Sequence, residues 1–187
     1  MSKLLLYCTK ANPTLYNVLG KFITTKYMGK DFKQDGLTHP ELNGKIVAEC
    51  DFEVNELSNN NNYHDYLLKN NSELWENDIL TKSCLTYDEL NNYLKGDGYA
   101  IYIKNLHIFD KPKELSEYED EWEYPLEKAP QNMRRCYSTL YSNIEADMPI
   151  RTDSYILISI RPKWLCKILN GEKTIEVRKK VLKEMIN

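Results

Sequence analysis

The chain has 187 residues, of which 42% are hydrophobic and 28% are charged, with a formal net charge of −3. This composition is typical of a soluble globular protein with one domain, or one domain and an extension. Seven glycines and seven prolines exclude collagen-like and linker-like chains. The longest apolar runs are too short to span a bilayer or to form the core of a signal peptide. We therefore expect no membrane insertion and no export.

The cysteines and histidines are scattered along the chain. The five cysteines have no Cys-x-x-Cys pair among them, and the three histidines are equally dispersed. A disulfide framework or a zinc knuckle needs paired spacings, so we interpret the cysteines as reduced, mostly buried thiols of a cytoplasmic protein. The HExxH, P-loop, GxGxxG and GxSxG motifs are absent. The sequence thus predicts no metal site and no cofactor.

The charge is unevenly distributed. Residues 1–33 and 151–187 each carry a net charge of +5, which leaves −13 on residues 34–150. The most acidic stretch, Glu114–Glu127, holds seven carboxylates and no lysine or arginine. If the two basic ends meet in space, they form a positive face that favours a phosphate backbone. An ordinary solvated surface with uneven charge is the alternative.

Hydrophobic patterns predict the elements in chain order. Alternating apolar residues indicate strands, and Thr86 followed by Glu89 has the spacing of a capping box at a helix start. The acidic stretch is expected to be irregular, with Trp122 as an anchor. The predicted elements are a buried strand at Lys3–Thr9, a hairpin within Leu15–Tyr27, a half-buried strand at Lys45–Leu57, a loop or disordered tip at Asn59–Asn62, a short helix at His64–Lys69, a helix from Thr86 to Leu94, a long strand at Tyr99–Phe109 and a short element reaching Tyr137.

The C-terminal stretch has the clearest pattern. Tyr155–Ile160 is predicted to be a strand, and Pro162 suits the first position of a helix, where its missing N–H costs nothing. Gly171 ends this helix, because glycine readily adopts the left-handed cap. Lys173–Arg178 is then predicted to be a strand. The residues on the face of that strand opposite to the core are Thr174, Glu176 and Arg178.

Segment 156–180, ILISIRPKWLCKILNGEKTIEVRKK, resembles the opening of an ASCH domain, an RNA-associated branch of the PUA-like superfamily. The shared pattern is a strand, a short helix and then Gly-x-Lys-x-x-Glu-x-Arg. The segment particularly resembles that of the small ASCH-like proteins of phages and prophages in Gram-positive bacteria. The other matching segments are LYCTKANP (6–13), LNGKIVAECDFE (42–53), YDELNNYLKGDGYAIYIKNLHIFDKPKELSEY (87–118) and APQNMRRCY (129–137).

The order of these segments differs from the family, in which the Gly-x-Lys-x-x-Glu-x-Arg unit precedes the YCTK strand. One explanation is a circular permutant, whose C-terminal unit docks beside its own N-terminal strand. The other is a truncated tandem, in which the last unit completes the barrel of a neighbouring chain and gives a homo-oligomer by segment exchange. Either way, the resemblance implies an α+β fold, a PUA-like mixed β pseudobarrel with flanking short helices. It implies one domain over residues 1–187, built from 3–137 and 155–180, with 138–154 as a connector.

The resemblance implies a cleft beside the Lys-x-x-Glu-x-Arg strand that binds RNA or a modified nucleotide. Lys173 and Arg178 are cations suited to phosphate, and Glu176 can accept a hydrogen bond from an exocyclic amine. The plain alternative is that Glu176 and Arg178 pair with each other on an exposed strand. Five further residues are predicted to bind nucleic acid or nucleotide, although each also suits a structural role as a cap, a solvated cation or a packed ring: Thr9, Lys10, Tyr99, Arg161 and Lys163.

Some ASCH proteins are enzymes, so catalysis stays open. One group resembles an amidohydrolase of acylated cytidine that uses a Lys, a Thr and a Glu, and another is reported as ribonucleases. Lys173 matches the Lys of the first group, but Glu176 stands where that group has Thr, so we expect little or no acylcytidine amidohydrolase activity. Weak hydrolytic or ribonuclease activity, with Lys173 as base and Glu176 as general acid, is the remaining enzymatic hypothesis. The alternative function is a phage-type interaction protein that binds a basic host protein through Glu114–Glu127.

Overall fold

A computed structural model gives the fold as a mixed α+β arrangement of strands and short helices. By contact density the chain divides into unit 1, Met1–Asp51 with Leu106–Leu169, and unit 2, Phe52–Asn105 with Asn170–Asn187. The residues that the structure describes are 2–9, 24–27, 30–33, 42–60, 65–68, 76–140 and 150–186.

The regular elements are short, except for three long strands. In chain order they are β1 (Lys3–Cys8), β2 (Thr24–Tyr27), β3 (Lys30–Lys33), β4 (Ile46–Asn60), β5 (Asp65–Leu68), α1 (Glu76–Ser83), α2 (Tyr87–Leu94), β6 (Gly98–Lys113), a 3₁₀ turn (Leu115–Glu117), β7 (Tyr118–Glu119), β8 (Met133–Leu140), β9 (Ile150–Ile160), α3 (Pro162–Leu169), β10 (Ile175–Arg178) and a second 3₁₀ turn (Lys183–Met185).

Unit 1 is built around β1, whose residues Leu4–Cys8 are all buried. The strand order is β4–β1–β9–β8–β7. β1 runs antiparallel to β4 and parallel to β9, in a register that places Lys3 beside Tyr155 and Cys8 beside Ile160. A strand enclosed in this way is apolar at every position rather than at alternate ones. The predicted pairing of the C-terminal strands with the N-terminal strand is thus confirmed for β9, whereas β10 pairs with β6 instead.

Helix α3 follows β9 in unit 1 and has the predicted form. Pro162 is its first residue, and the backbone carbonyl of Arg161 accepts hydrogen bonds from the amides of Trp164 and Leu165. The amphipathic pattern places one face of the helix in the core of the unit. The buried residues of that face include Leu165, Ile168 and Leu169, as expected.

Unit 2 has its own core, formed where helices α1 and α2 pack on strands. Its strand order is β10–β6–β4–β5, and β10 is antiparallel to β6. The predicted capping box of α2 is present: the Thr86 hydroxyl accepts from the Glu89 amide, and the Glu89 carboxylate accepts from the Thr86 amide. The buried core residues are Leu57, Ile79, Leu90, Leu94, Ala100, Ile175 and Val177.

Two local predictions need correction, and one helix was missed. The helix predicted at His64–Lys69 is wrong, because Asp65–Leu68 is a strand that pairs with Leu57–Asn60. The same pairing places Asn59 and Asn60 in β4 rather than in a loop. Non-local strand pairing overrides local propensity here. Helix α1 was not predicted at all.

The segment 138–154, predicted to be a connector, contributes to strands at both of its ends. Residues Ser138–Leu140 belong to β8 and Ile150–Ser154 to β9, and they pair with each other, for example Ser138 with Asp153. Antiparallel backbone pairing needs no apolar periodicity, which explains why the polar sequence concealed these strands. Most of the hairpin predicted within Leu15–Tyr27 lies outside the described residues.

All five cysteines are free thiols, and four of them are buried, as predicted. Burial raises the pKa of Cys8, Cys50 and Cys136 to about 12 in each case, so these thiols stay protonated and unreactive at neutral pH. In the described part of the chain, no helix is long and apolar enough to cross a membrane.

Candidate functional site

Lys173, at the start of the predicted Lys-x-x-Glu-x-Arg motif, is buried in unit 2 with only 2% of its surface exposed. Its Nζ donates to the backbone carbonyl oxygens of Ser83 at 2.8 Å and of Ile175 at 2.7 Å. It also lies 3.3 Å from Oε2 of Glu176. An ammonium group has three N–H donors, so these acceptors suffice to satisfy it. This burial does not fit the expectation that Lys173 contacts phosphate directly.

The end of helix α1 provides one of the two carbonyl acceptors for Lys173. Ser83 is the last residue of α1, and its carbonyl lies at the negative end of the helix dipole, which favours a cation. The segment before β10 is fixed to the same helix end, because the Thr174 amide donates to the Lys82 carbonyl at 2.9 Å. Cys84 follows with a left-handed backbone, φ +57, and its Sγ lies 3.4 Å from the Glu172 carbonyl oxygen. This support for Lys173 was not predicted, because α1 itself was not predicted.

Burial also changes the acidity of Lys173. Desolvation lowers the pKa of the Lys173 ammonium below its ordinary value of 10.5, while the Glu176 carboxylate acts in the opposite direction without cancelling the effect. Positive Arg178 lowers this pKa further. The charged form of Lys173 is therefore maintained chiefly by Glu176.

Glu176 is shared between two cations. Its Oε2 faces Lys173, and its Oε1 lies 3.0 Å from a terminal guanidinium nitrogen of Arg178. The side chains of Glu176 and Arg178 are 10% and 13% exposed. The alternative prediction, that Glu176 and Arg178 pair on an exposed strand, is therefore right about the ion pair. It is wrong about the exposure, because both side chains are mostly buried. With all three groups ionised, the cluster Lys173–Glu176–Arg178 carries one net positive charge.

Tyr99 lies directly across from Arg178 in the antiparallel pair of β6 and β10. Directly opposed residues project to the same face of a sheet, so Tyr99 shares the face of Glu176 and Arg178. Tyr99 is only half-buried. Gly98 permits this close approach, because a Cβ there would meet Leu94 at 2.6 Å and the Arg178 carbonyl oxygen at 3.0 Å. The structure thus brings together four of the predicted site residues: Tyr99, Lys173, Glu176 and Arg178.

The other predicted residues belong to unit 1. Thr9 follows β1 and donates its amide to the Ile160 carbonyl at 2.9 Å, which places it beside the residue before Arg161. Arg161 is exposed. The Nζ of Lys163 lies 4.5 Å from the centre of the Trp164 ring, a cation–π distance. Lys10 is outside the described residues.

The described residues contain no group of three or more His, Cys, Asp or Glu side chains arranged to hold a metal ion. Comparison with known proteins finds no matching family model, no matching curated protein and no matching solved structure. The resemblance to ASCH domains therefore stays a prediction.

Proposed function

We propose that the chain is a PUA-like module that binds RNA or a nucleotide through Arg178 and Tyr99. The observation that carries the proposal is the buried cluster in which Glu176 holds Arg178 on one side and Lys173 on the other. Arg178 is thereby fixed on the same sheet face as the half-buried ring of Tyr99. The free thiols support a cytoplasmic location for this activity.

The buried cluster is energetically costly. Removing ions from water is expensive, and apolar residues of similar volume are often at least as stabilising as a buried ion pair. Glu176 is buried, with only 8% of its surface exposed, so an apolar side chain of similar volume at this position would avoid the cost of removing a charge from water. The cluster is therefore better explained by positioning of Arg178 than by stability. Its excess positive charge also favours an anionic ligand.

The chemistry of Arg178 and Tyr99 suits a nucleotide. A guanidinium group recognises phosphate or a base edge through paired donors and also stacks on a base. An aromatic ring provides a stacking surface for an unpaired base. In this proposal Lys173 and Glu176 are positioning residues rather than direct contacts. The roles of Thr9, Lys10, Arg161 and Lys163 in binding stay predictions from the resemblance.

Binding of a fluorescent, single-stranded oligoribonucleotide of mixed sequence tests the proposal. We expect Tyr99→Leu to weaken binding by about ten-fold, because stacking on an aromatic ring is worth about 1–3 kcal/mol per base. Arg178→Ala should weaken binding and reduce the salt slope by about one, the contribution of one phosphate contact. Lys104→Ala is the matched control, since Lys104 is an exposed cation of unit 2 that pairs with Glu53.

Thermal unfolding of each variant separates lost binding from lost structure. Arg178→Ala leaves Glu176 paired with Lys173, so the fold should survive. Unchanged oligoribonucleotide affinity in a folded Arg178→Ala, Tyr99→Leu double variant would rule the proposal out. Equal weakening by Lys104→Ala would show that only general charge matters.

We further propose that acylcytidine amidohydrolase activity is weak or absent. An ionised carboxylate only accepts hydrogen bonds, whereas an anionic tetrahedral intermediate needs donors. Both oxygens of Glu176 also face cations. Turnover of N4-acetylcytidine by the wild type and by Glu176→Thr measures this directly, and robust wild-type turnover would contradict it. Ribonuclease activity is the remaining enzymatic possibility, and cleavage of the same oligoribonucleotide would reveal it.

A further inference from the structure

The acidic stretch presents two aromatic rings to solvent. We call residues 119–127 the acidic–aromatic loop. Within it, Trp122 is 66% exposed and Tyr124 is 68% exposed. These are the two most exposed large hydrophobic side chains among the described residues. The expectation that Trp122 anchors this segment is therefore wrong, and the buried anchors are Tyr118 and Leu126.

The loop is held in one conformation by Asp120. Its Oδ1 accepts hydrogen bonds from the amides of Trp122 at 3.0 Å and Tyr124 at 3.1 Å. Its Oδ2 pairs with Arg134 at 2.8 Å, and its own amide donates to the Tyr124 carbonyl at 2.9 Å. The two exposed aromatic residues are thus fixed through their backbones, while their side chains point away from the core.

The base of the loop is equally well fixed. The Leu126 amide donates to the Tyr118 carbonyl at 2.8 Å, and Glu119 forms an isolated bridge with Pro125. Tyr118 also packs edge-on against Tyr155. A preformed platform loses little conformational entropy on binding. Exposed Trp and Tyr on such a platform have the composition of an interaction hot spot rather than of ordinary surface.

The charge around the rings selects the partner. Glu121, Glu123 and Glu127 are exposed, and the loop itself holds no lysine or arginine. Lys128 follows the loop and Arg134 pairs with Asp120, so carboxylates still outnumber the cations beside the rings. This negative field repels nucleic acid and anionic lipid, and it attracts cationic segments. Arginine fits better than lysine, because its planar guanidinium stacks on aromatic rings and pairs with a carboxylate through two hydrogen bonds.

We infer that the acidic–aromatic loop is a docking site for an arginine-rich segment of another protein, with Trp122 and Tyr124 as its anchors. The exposed aromatic pair provides the contact area, and the surrounding glutamates provide the charge complementarity. This site is independent of the nucleotide-binding proposal, since it uses none of the same residues.

Fluorescence anisotropy with labelled oligo-arginine, and with oligo-lysine of equal length, tests the inference on the full chain. We expect oligo-arginine to bind more tightly than oligo-lysine. The Trp122→Ala, Tyr124→Ala double variant should weaken oligo-arginine binding by about ten-fold or more. Tyr93→Ala, which removes an exposed tyrosine elsewhere, is the control and should leave binding unchanged. Oligoribonucleotide binding should be the same in all of these variants.

Three other results would each overturn the inference. Equal affinity for the two peptides, unaffected by loss of the rings, would mean that only general charge attracts them. Absence of oligo-arginine binding would remove the site altogether. Self-association that disappears in the double variant would show that a second copy of the chain, and not an arginine-rich partner, occupies the loop.

Discussion

The Lys173–Glu176–Arg178 cluster and the acidic–aromatic loop both concentrate charge, but in opposite ways. The cluster buries two cations around one carboxylate. The loop exposes several negatively charged carboxylates beside two aromatic rings. The first arrangement fixes a single guanidinium group, whereas the second creates a field that extends into solvent. The difference shows that burial, rather than the number of charges in the sequence, decides what charged residues can do.

The largest expected effect is on stability, from Glu176→Gln. This change leaves Lys173 and Arg178 as buried cations without their shared counter-ion, and breaking a buried pair in this way costs about 3–5 kcal/mol. The matched control is Glu53→Gln, which breaks the exposed pair with Lys104 and should cost no more than about 1 kcal/mol. Urea unfolding measures both changes. Equal losses would mean that the cluster is effectively solvated.

Lys173→Met should have a smaller effect, with a distinct pH dependence. The variant keeps the Glu176–Arg178 pair but leaves two carbonyl groups without their donor, which costs about 1–3 kcal/mol. Because the pKa of Lys173 is lowered in the folded state, the unfolded chain holds more protons between that pKa and 10.5. The free energy of unfolding of the wild type should therefore rise, relative to the variant, as the pH approaches 10.5. A pH-independent difference would contradict the lowered pKa.

Asp120→Ala should affect the loop without much effect on the rest of unit 1. Desolvation raises the pKa of Asp120, but hydrogen bonds from Tyr124 and Trp122 and the charge of Arg134 together lower it below 3.8. Its stabilising effect is therefore complete above that value and is lost as the pH falls through the lowered pKa. The indole N–H resonance of Trp122, assigned with a Trp122→Phe variant, should broaden or shift in Asp120→Ala. An unchanged resonance would mean that Asp120 does not order the loop.

The smallest effect is expected at Glu123, whose backbone is left-handed with φ +69. Glycine adopts this conformation without strain, so Glu123→Gly should stabilise the protein by about 0.5–1 kcal/mol. The same change removes one carboxylate and should weaken oligo-arginine binding. Glu123→Asn, which tolerates the same conformation, checks that the loss comes from the charge. A gain in both stability and peptide affinity would contradict the role given to the exposed carboxylates.

Local patterns in the sequence predicted much of the fold. Three predictions that depend only on nearby residues are confirmed: the capping box at Thr86, the proline at the start of α3 and the apolar strands at both ends of the chain. Elements that depend on distant partners were missed. Asp65–Leu68 becomes a strand only because Leu57–Asn60 lies beside it.

The candidate site shows the same limit. The motif located Lys173, Glu176 and Arg178, but strand alternation placed Glu176 on an outer face and gave no indication that it is buried. The acceptor for Lys173 comes from α1, about ninety residues earlier in the chain. Only the register of β6 against β10 brings Tyr99 beside Arg178. For the acidic–aromatic loop, the pattern that could have predicted a docking site is a Trp and a Tyr two residues apart within an acidic run.

We propose that Glu176 and Lys173 position the Arg178 guanidinium for nucleotide recognition. The most direct test is Arg178→Lys, which retains the charge but replaces the fork of donors with a single ammonium. Oligoribonucleotide affinity should fall by about ten-fold, with the fold intact and the overall charge unchanged. Affinity equal to that of the wild type would show that the site attracts anions only through charge, and that the buried cluster has no role in recognition.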